Sequence, residues 1–491
     1  MRSNKTKIIL SLYKNLFKQT LIYGLATVLP RMISFLLNPL YVHVLPKGEF
    51  GEVSIVFAWL VFFNVILSYG METAFFRFYN IETDKKDVIS TSTISIFWTS
   101  IGFLFGSLLF RETISGWLGI KTQYVSYTIW ILVLDALVII PFSKIRAEKR
   151  PMRYAVIKIG NVGVNLLCNV FFLLVLPKIG SDNPLSTIYF ENFEVGYIFV
   201  SNLIASLLTF IVLSPNYFKI HWHFNQELWK RMMRYSLPIL VAGIAFAINE
   251  HFDKILLEWC GVSKSDIGAY SACYKLGLFM VLFRTAYTLG IEPFFFSHAD
   301  KENAQQTYAT VTKYFVIFGS FITLFVIVFA DVLKIFLVPN PTYWEAMKVV
   351  PLIVLANFFL GIYTNLSVWY KLIDKTKIGA YISIVGAVVT LALNVLLIKP
   401  LSYYGSAIAT IFAYGSMMFI SFYLGQKKYP IPYDINRIMR YLGISVLLSG
   451  LSFYVPVFRE SYIFGIFAIV FFGYYIYRNE KETFQRILKR N

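Results

Sequence analysis

Residues 50–76 read FGEVSIVFAWLVFFNVILSYGMETAFF. Between Glu52 and Glu72 no charged side chain interrupts a run of aliphatic and aromatic residues. At about 1.5 Å of rise per residue, about 20 apolar residues cross a hydrocarbon core of about 30 Å. The run therefore reads as one membrane-spanning helix. Helices are the default in lipid because an open strand leaves its backbone N–H and C=O groups unpaired. A β-barrel would show short alternating stretches, whereas this run is long and continuous.

Outward from that stretch the same kind of block recurs. The spans are predicted at 18–41, 50–73, 89–110, 124–143, 154–177, 193–214, 235–257, 267–290, 309–330, 343–367, 378–398, 402–424, 438–456 and 461–477. The expected fold class is an all-α polytopic membrane protein of about 14 transmembrane helices. Composition agrees: 57% of the residues are hydrophobic and 15% charged, where a soluble domain carries about 25% charged residues.

The formal net charge of +18 raises nucleic acid as a partner, and the placement of the charges argues against it. Lys and Arg collect in the breaks between apolar blocks, and no nucleic-acid motif is present. The breaks near 74–88, 144–153, 215–234, 291–308, 368–377 and 425–437 hold clusters such as Lys144, Arg146, Lys149, Arg150 and Arg153. With both termini they hold most of the 45 Lys and Arg residues. The opposite breaks are sparse: 178–192 sets Lys178 against Asp182 and Glu191. The alternation predicts that both termini are cytoplasmic. The first 18 residues are basic and lead to no small-residue cleavage site, so they read as a cytoplasmic tail before an uncleaved helix. The aromatic stretch NYFKIHWHFNQELWK, residues 216–230, is too polar to span. It reads either as an interfacial link between two halves or as an ordinary loop.

A weak repeat divides the chain. Residues 267–293 read IGAYSACYKLGLFMVLFRTAYTLGIEP. Like 50–76 they begin with an apolar residue, then Gly, two residues and Ser, and end near Gly-x-Glu. A second pair, GNVGVNLLCNVFFLLVLPKIG from 160 and GAVVTLALNVLLIKPLSYYG from 386, matches Asn169 with Asn394. Chance likeness of apolar sequence is the alternative. Read as a repeat, the pairs give two six-helix lobes in a pseudo-twofold parallel arrangement, a transporter plan. The boundaries are a tail at 1–17, an N-lobe at 18–214, a linker at 215–234, a C-lobe at 235–424, two added helices at 425–477 and a tail at 478–491.

Ionisable groups inside apolar blocks are the informative residues, because a charge near the bilayer centre is costly unless it faces a partner or a cavity. Arg31 lies in the first span; Glu250, Asp253 and Lys254 lie in the seventh; Lys275 and Arg284 lie in the eighth. Asp135 and Lys158 fall in the fourth and fifth, and Glu72 near the end of the second. Glu250 and Lys254 are four residues apart and share a helix face, with Asp253 beside them. They read as an ion-pair or coupling cluster: either a structural pair that locates helices, or part of a wet central cavity. Arg31, Lys275 and Arg284 suit an anionic substrate such as a pyrophosphate, Arg as a fork of donors and Lys as a point charge. Lys275 and Arg284, about two and a half turns apart, point to roughly opposite faces of a straight helix. Lys158 and Glu72 lie nearer the membrane ends, where they are read as snorkelling. Pro30, Pro39, Pro46 and Pro238 break the leading helices of the two halves.

Enzyme signatures are missing from the sequence: there is no Walker A loop, dinucleotide fingerprint or zinc-ligand spacing. Histidines 43, 221, 223, 251 and 298 are scattered, and Cys168, Cys260 and Cys273 give neither a disulfide framework nor a metal site. No catalytic residue, metal or cofactor is expected; the sequence leaves open whether transport is coupled to an ion, with a proton or sodium as the candidates. A non-transport membrane enzyme or scaffold is the distant alternative.

The stretch from Phe50 to Asn80 resembles the second-helix signature of the polysaccharide-biosynthesis flippases. Phe50, Gly51 and Ser54 match the opening of that signature, and Gly70, Ala74, Arg77 and Phe78 its close. The preceding ISFLLNPLYVHVLPKGEFG looks like the family's first helix and outer loop, and IGAYSACYKLG like the second-half counterpart. The resemblance covers most of the chain. It implies membership of the superfamily that includes multidrug exporters and the lipid II flippase, with twelve or fourteen helices in two lobes and alternating access. The implied substrate is an undecaprenyl-pyrophosphate-linked oligosaccharide, moved across the bacterial inner membrane for lipopolysaccharide or other surface polysaccharide. Cationic residues would meet its pyrophosphate. Arg31 is the plausible counterpart by position, and Arg77, Lys275 and Arg284 are further substrate-path candidates. Implied partners are the polyprenyl-pyrophosphate-linked glycan, membrane lipids, a polysaccharide polymerase and glycosyltransferases. The alternative within the superfamily is lipid II, or a small molecule exported against an ion gradient.

Overall fold

The computed structural model describes residues 24, 26, 28–179, 183–297, 302–460 and 462–488. The expected basic N-terminal tail, Asp182 and His298 lie outside the described residues.

Among the described residues helices occupy the predicted spans; the first part of the span 18–41 lies outside them. In chain order we label them α1 (Val28–Val44), α2 (Lys47–Ile81), α3 (Lys85–Leu109), α4 (Thr122–Ala147), α5 (Pro151–Lys178), α6 (Glu194–Phe218), α7 (Gln226–His251), α8 (Lys264–Ile291), α9 (Ala304–Val328), α10 (Pro341–Leu372), α11 (Lys377–Leu401), α12 (Tyr403–Lys428), α13 (Ile435–Tyr454) and α14 (Ile463–Leu488). Eleven of them, α2 to α12, are long and apolar enough to cross a membrane. Among the described residues α1 is shorter, and α13 and α14 fall below that hydropathy. Large apolar side chains such as Phe105, Leu109, Leu396 and Leu447 stand exposed on the helices, as lipid-facing positions require.

Contacts divide the chain into two compact units, Met1–Ile255 and Leu256–Asn491. In the first, α4 packs on α6, α3 and α2, and α7 lies against α2. In the second, α12 packs on both α10 and α11, and α9 on α13. Burial follows position: 67% of the apolar window of α4 and 78% of that of α10 are buried, against 17% for α5. The two repeated openings meet the same environment, each within its own unit. Phe50 and Gly51 are buried at the start of α2, and Ile267 and Gly268 at the start of α8. Asn169 and Asn394 are both fully buried. Each donates its amide to the carbonyl four residues earlier, of Asn165 at 2.9 Å and of Thr390 at 2.7 Å.

Two irregularities shape the first unit. α2 breaks at Tyr69 and Gly70, both left-handed, with φ of 32° and 71°. A Cβ on Gly70 would stand 2.7 Å from the carbonyl oxygen of Ser236 in α7. Glycine therefore serves twice here, for its backbone freedom and for the close approach. α4 breaks at Val138. Pro141 has no N–H to offer the carbonyl of Leu137, and the Tyr217 hydroxyl from the end of α6 donates to that oxygen instead, at 2.6 Å.

The aromatic stretch after α6 lies along the start of α3. Ser90 Oγ donates to the carbonyl of His221, and the backbone N–H of Asn225 donates to Thr91 Oγ1 at 3.2 Å. Phe218, Trp222 and Phe224 stay exposed. Farther along α3, Ser95 Oγ bonds the Tyr69 hydroxyl at 2.7 Å and accepts from the Trp229 indole at 2.8 Å.

Candidate functional site

The break in α4 stands beside an open cavity of about 300 Å³ lined by residues of the first unit. α2 lines it with Asn64 and Ser68, one turn apart on one face, and with Glu72 just beyond the break. α4 contributes Asp135 just before the break, then Val138, Ile139 and Phe142. α5 brings Lys158 and Asn161, and α6 brings Thr209. The volume falls at the lower end of the range for ligand pockets, and its lining is mainly polar or charged.

Each polar group has a defined place. Ser206 Oγ donates to Asp135 Oδ1 at 2.7 Å, and Asn64 also hydrogen-bonds this carboxylate. Asn161 Nδ2 donates to Thr209 Oγ1 at 2.8 Å, tying α5 to α6. Glu72 pairs with Arg146 Nη1 at 2.6 Å, and both side chains are close to half exposed. Arg146 also stacks on Phe76, 4.8 Å from the ring centroid. Lys158 sets its ammonium 4.5 Å over the Phe142 ring. Among the described residues it makes no direct ion pair with either carboxylate, although the charges of Asp135, Glu72 and Arg146 all act on it. The site is thus a string of ionisable groups, from a half-exposed pair to a half-buried carboxylate. Lys158 and Glu72, expected to snorkel, line this cavity.

The residues singled out from the sequence are placed as follows. In the first unit Arg31 is exposed on α1, and Arg77 is exposed on the second segment of α2, its guanidinium 4.3 Å from the Tyr235 ring centroid. α7 ends at His251, and a short helix, Asp253–Trp259, follows. Lys254 Nζ lies 2.9 and 3.0 Å from the two carboxylate oxygens of the adjacent Asp253, which is buried; Glu250 is half-buried. In the second unit Lys275 is exposed in a 3₁₀ turn, Lys275–Gly277, that interrupts α8. Arg284 lies beyond that turn, half-buried, and its carbonyl accepts from Thr288 Oγ1 at 2.8 Å. The turn means that α8 is not the straight helix assumed for the pair.

Asp135, Lys158 and Glu72 were visible in the sequence as charges inside apolar blocks. Their meeting was not, because they come from three helices and span 86 positions of chain, from 72 to 158. Pro141 was the available signal: a proline inside an apolar block marks a break, and breaks in membrane helices border cavities.

Solved structures share this multi-pass helical fold. The lipid II flippase MurJ, in an inward closed conformation, aligns over 94% of this chain and 99% of its own, with a TM-score of 0.73 and 14% identity. An inward-facing multidrug resistance MATE family transporter of the MOP superfamily aligns over 84% and 95%, with a TM-score of 0.66 and 13% identity. A MOP superfamily transporter from Pyrococcus furiosus gives a TM-score of 0.59 over 84% and 95%, at 12% identity. The polysaccharide biosynthesis protein family matches residues 16–283, more than half of the chain, and the chain belongs to that family. The MatE family matches residues 238–396. The membrane protein MJ1375 of Methanocaldococcus jannaschii is 24% identical over 183 residues, which span 37% of this chain and 42% of that relative. This chain therefore covers less than half the length of that curated relative.

Proposed function

We propose that this protein is a flippase for an undecaprenyl-pyrophosphate-linked oligosaccharide, acting in the bacterial inner membrane by alternating access between lobes at 18–214 and 235–424, for surface polysaccharide biosynthesis. The family match over residues 16–283 carries the reading. Arg31 and Arg77 in the first unit, and Lys275 and Arg284 in the second, supply the donors a diphosphate needs: planar forks from Arg and a point charge from Lys. Both termini face the cytoplasm, and the glycosyltransferases and polymerase that make and extend the glycan are its functional partners.

The test is transport by the purified protein in proteoliposomes, with three fluorescent substrates offered in parallel: a lipid-linked oligosaccharide, lipid II and a small cationic dye. Movement of the first alone is expected; movement of lipid II or the dye with the first immobile would overturn the reading. In complemented cells Arg31→Ala should abolish surface polysaccharide at a normal membrane level of protein, and Arg31→Lys should keep part of it. Full display by Arg31→Ala would remove this residue from the substrate path.

A further inference from the structure

We propose that Asp135 and Lys158 form a proton-exchange site inside the first unit, reached through the cavity that Glu72 and Arg146 border, and that this site takes a proton and no metal cation. It rests on the transport reading above for its purpose, which is to supply the driving ion, but not for its chemistry.

The geometry points to proton exchange in three ways. First, the Asp135 carboxylate is held by Ser206 and Asn64 but among the described residues carries no direct ion pair, so a proton can reach it without first breaking a salt bridge. Second, about 300 Å³ equals roughly ten water volumes at ~30 Å³ each, enough for a continuous path from the Glu72–Arg146 pair to Asp135. Third, Lys158 brings its ammonium group into the same space. Carboxylate, amide and hydroxyl oxygens around a cavity are hard-cation ligands, yet an ammonium beside them already provides the compensating charge and repels a second cation.

Of the helices that pack on α4, α2 and α5 bring charges to the site. α2 brings Glu72, α5 brings Lys158, α4 itself brings Arg146, and α6 brings the hydroxyls of Ser206 and Thr209. α3 carries its charges, Lys85, Lys86 and Asp87, only in its first turn, and the short helix Arg111–Leu118 carries Arg111 and Glu112 at its start. The step is balanced. A hydronium in the cavity gives its proton to the Asp135 carboxylate, leaving a neutral acid and a water. Lys158 stays an ammonium, and the site gains one positive charge, which is lost when the proton leaves.

The test uses the full chain in lipid nanodiscs without substrate, so its failure leaves the flippase reading standing. Infrared difference spectra between high and low pH should show a protonated-carboxyl band that Asp135→Asn removes. Asp135→Glu, which keeps the acid, should move the band to a new frequency, and this covers the case in which Asp135→Asn does not fold. Lys158→Met should raise the pH at which the band appears by about one unit or more, and Lys158→Arg should leave it near its original position. Replacing choline chloride by sodium chloride at equal ionic strength should change nothing in the wild type. A band that neither Asp135 variant alters would overturn the proposal, as would a saturable response of the wild-type band to sodium.

Discussion

The two units solve one local problem alike and then fill the space beside it differently. In the first, the broken α4 leaves the carbonyl of Leu137 to Tyr217 of α6. In the second, α10 breaks at Ser367, and the carbonyl of Leu366 accepts from Ser421 of α12 at 3.1 Å. Counted back two residues from each capped carbonyl, Asp135 corresponds to Thr364. Counted back eleven from each buried asparagine, Lys158 corresponds to Ser383. The charged pair of one unit is a pair of hydroxyls in the other.

The surroundings differ accordingly. Beside Thr364 the free space shrinks to about 10 Å³, room for one water at most. Aromatic rings fill the rest: Phe315 stacks on Phe283 at 5.2 Å and lies 4.6 Å from Tyr287, whose hydroxyl donates to Asn365 at 2.7 Å. A Cβ on Gly361 would stand 2.7 Å from the Phe315 ring, so the helices close up at that point. Two charge clusters of the second unit are closed on themselves. Arg459 holds Asp331 with two bonds of 2.6 and 2.8 Å. Buried Glu480 accepts from Lys313 at 2.8 Å and from Tyr314 at 3.0 Å. A duplicated plan thus allows the two copies to differ at matching positions, with a carboxylate and an ammonium beside a polar cavity in one and hydroxyls beside closely packed rings in the other.

The sharpest way to break this contrast is to exchange the corresponding residues. Thr364→Asp puts a carboxylate where there is room for one water at most, and should cost about 3–5 kcal/mol. Asp135→Thr faces existing space, and should cost about 1 kcal/mol. Thermal unfolding of the two purified variants measures both; equal midpoints would mean that the two interiors are equally wet. Next in size, Phe315→Ala should lose about 3 kcal/mol, because the ring's dense packing leaves a hole that cannot collapse. Recovery of its midpoint by a small apolar ligand would confirm that the hole is dry. Asn161→Ala in the first unit should cost only about 1 kcal/mol, one hydrogen bond to Thr209 replaced by water, read from the same unfolding curves.

The smallest effect is a pH dependence at the end of the second unit. Burial by itself raises the Asp331 carboxyl, but the bonds and charges of Arg459 and Lys334 outweigh it and hold the group below its ordinary value of 3.8. A depressed carboxyl adds stability that is fully present above the unfolded value and disappears as pH falls through the folded one. Asp331→Asn should therefore flatten the acid limb of a stability–pH curve below about pH 4 and leave the neutral region nearly parallel. An unchanged acid limb would show that the cluster is no tighter than an open surface pair.

Much of the architecture was legible in the sequence because lipid allows so few alternatives. An apolar block of about 20 residues can hardly be anything but a helix, and the predicted span 343–367 falls inside Pro341–Leu372. The charges were legible one at a time. Asp253 and Lys254 lay together in the chain, so their pairing was within reach; Asp135 and Lys158 are 23 positions apart on separate helices. The 3₁₀ turn at Lys275–Gly277 left no comparable mark. It sits in an otherwise regular apolar run, and the nearby Gly277 is a weak cue, since glycine is frequent in membrane helices.

The contact between Gly70 and Ser236 also has a consequence for how the protein is made. The two residues are separated by 166 positions, 236 minus 70. At about 5–20 residues per second, the ribosome needs roughly 8 to 33 seconds to get from one to the other. Through that interval α2 is in the membrane with its break unsupported, and it is braced only when α7 follows. Chains stalled or truncated before α7 should therefore be exceptionally good substrates for membrane quality-control proteases, whereas chains released just after it should already be protected around residue 70.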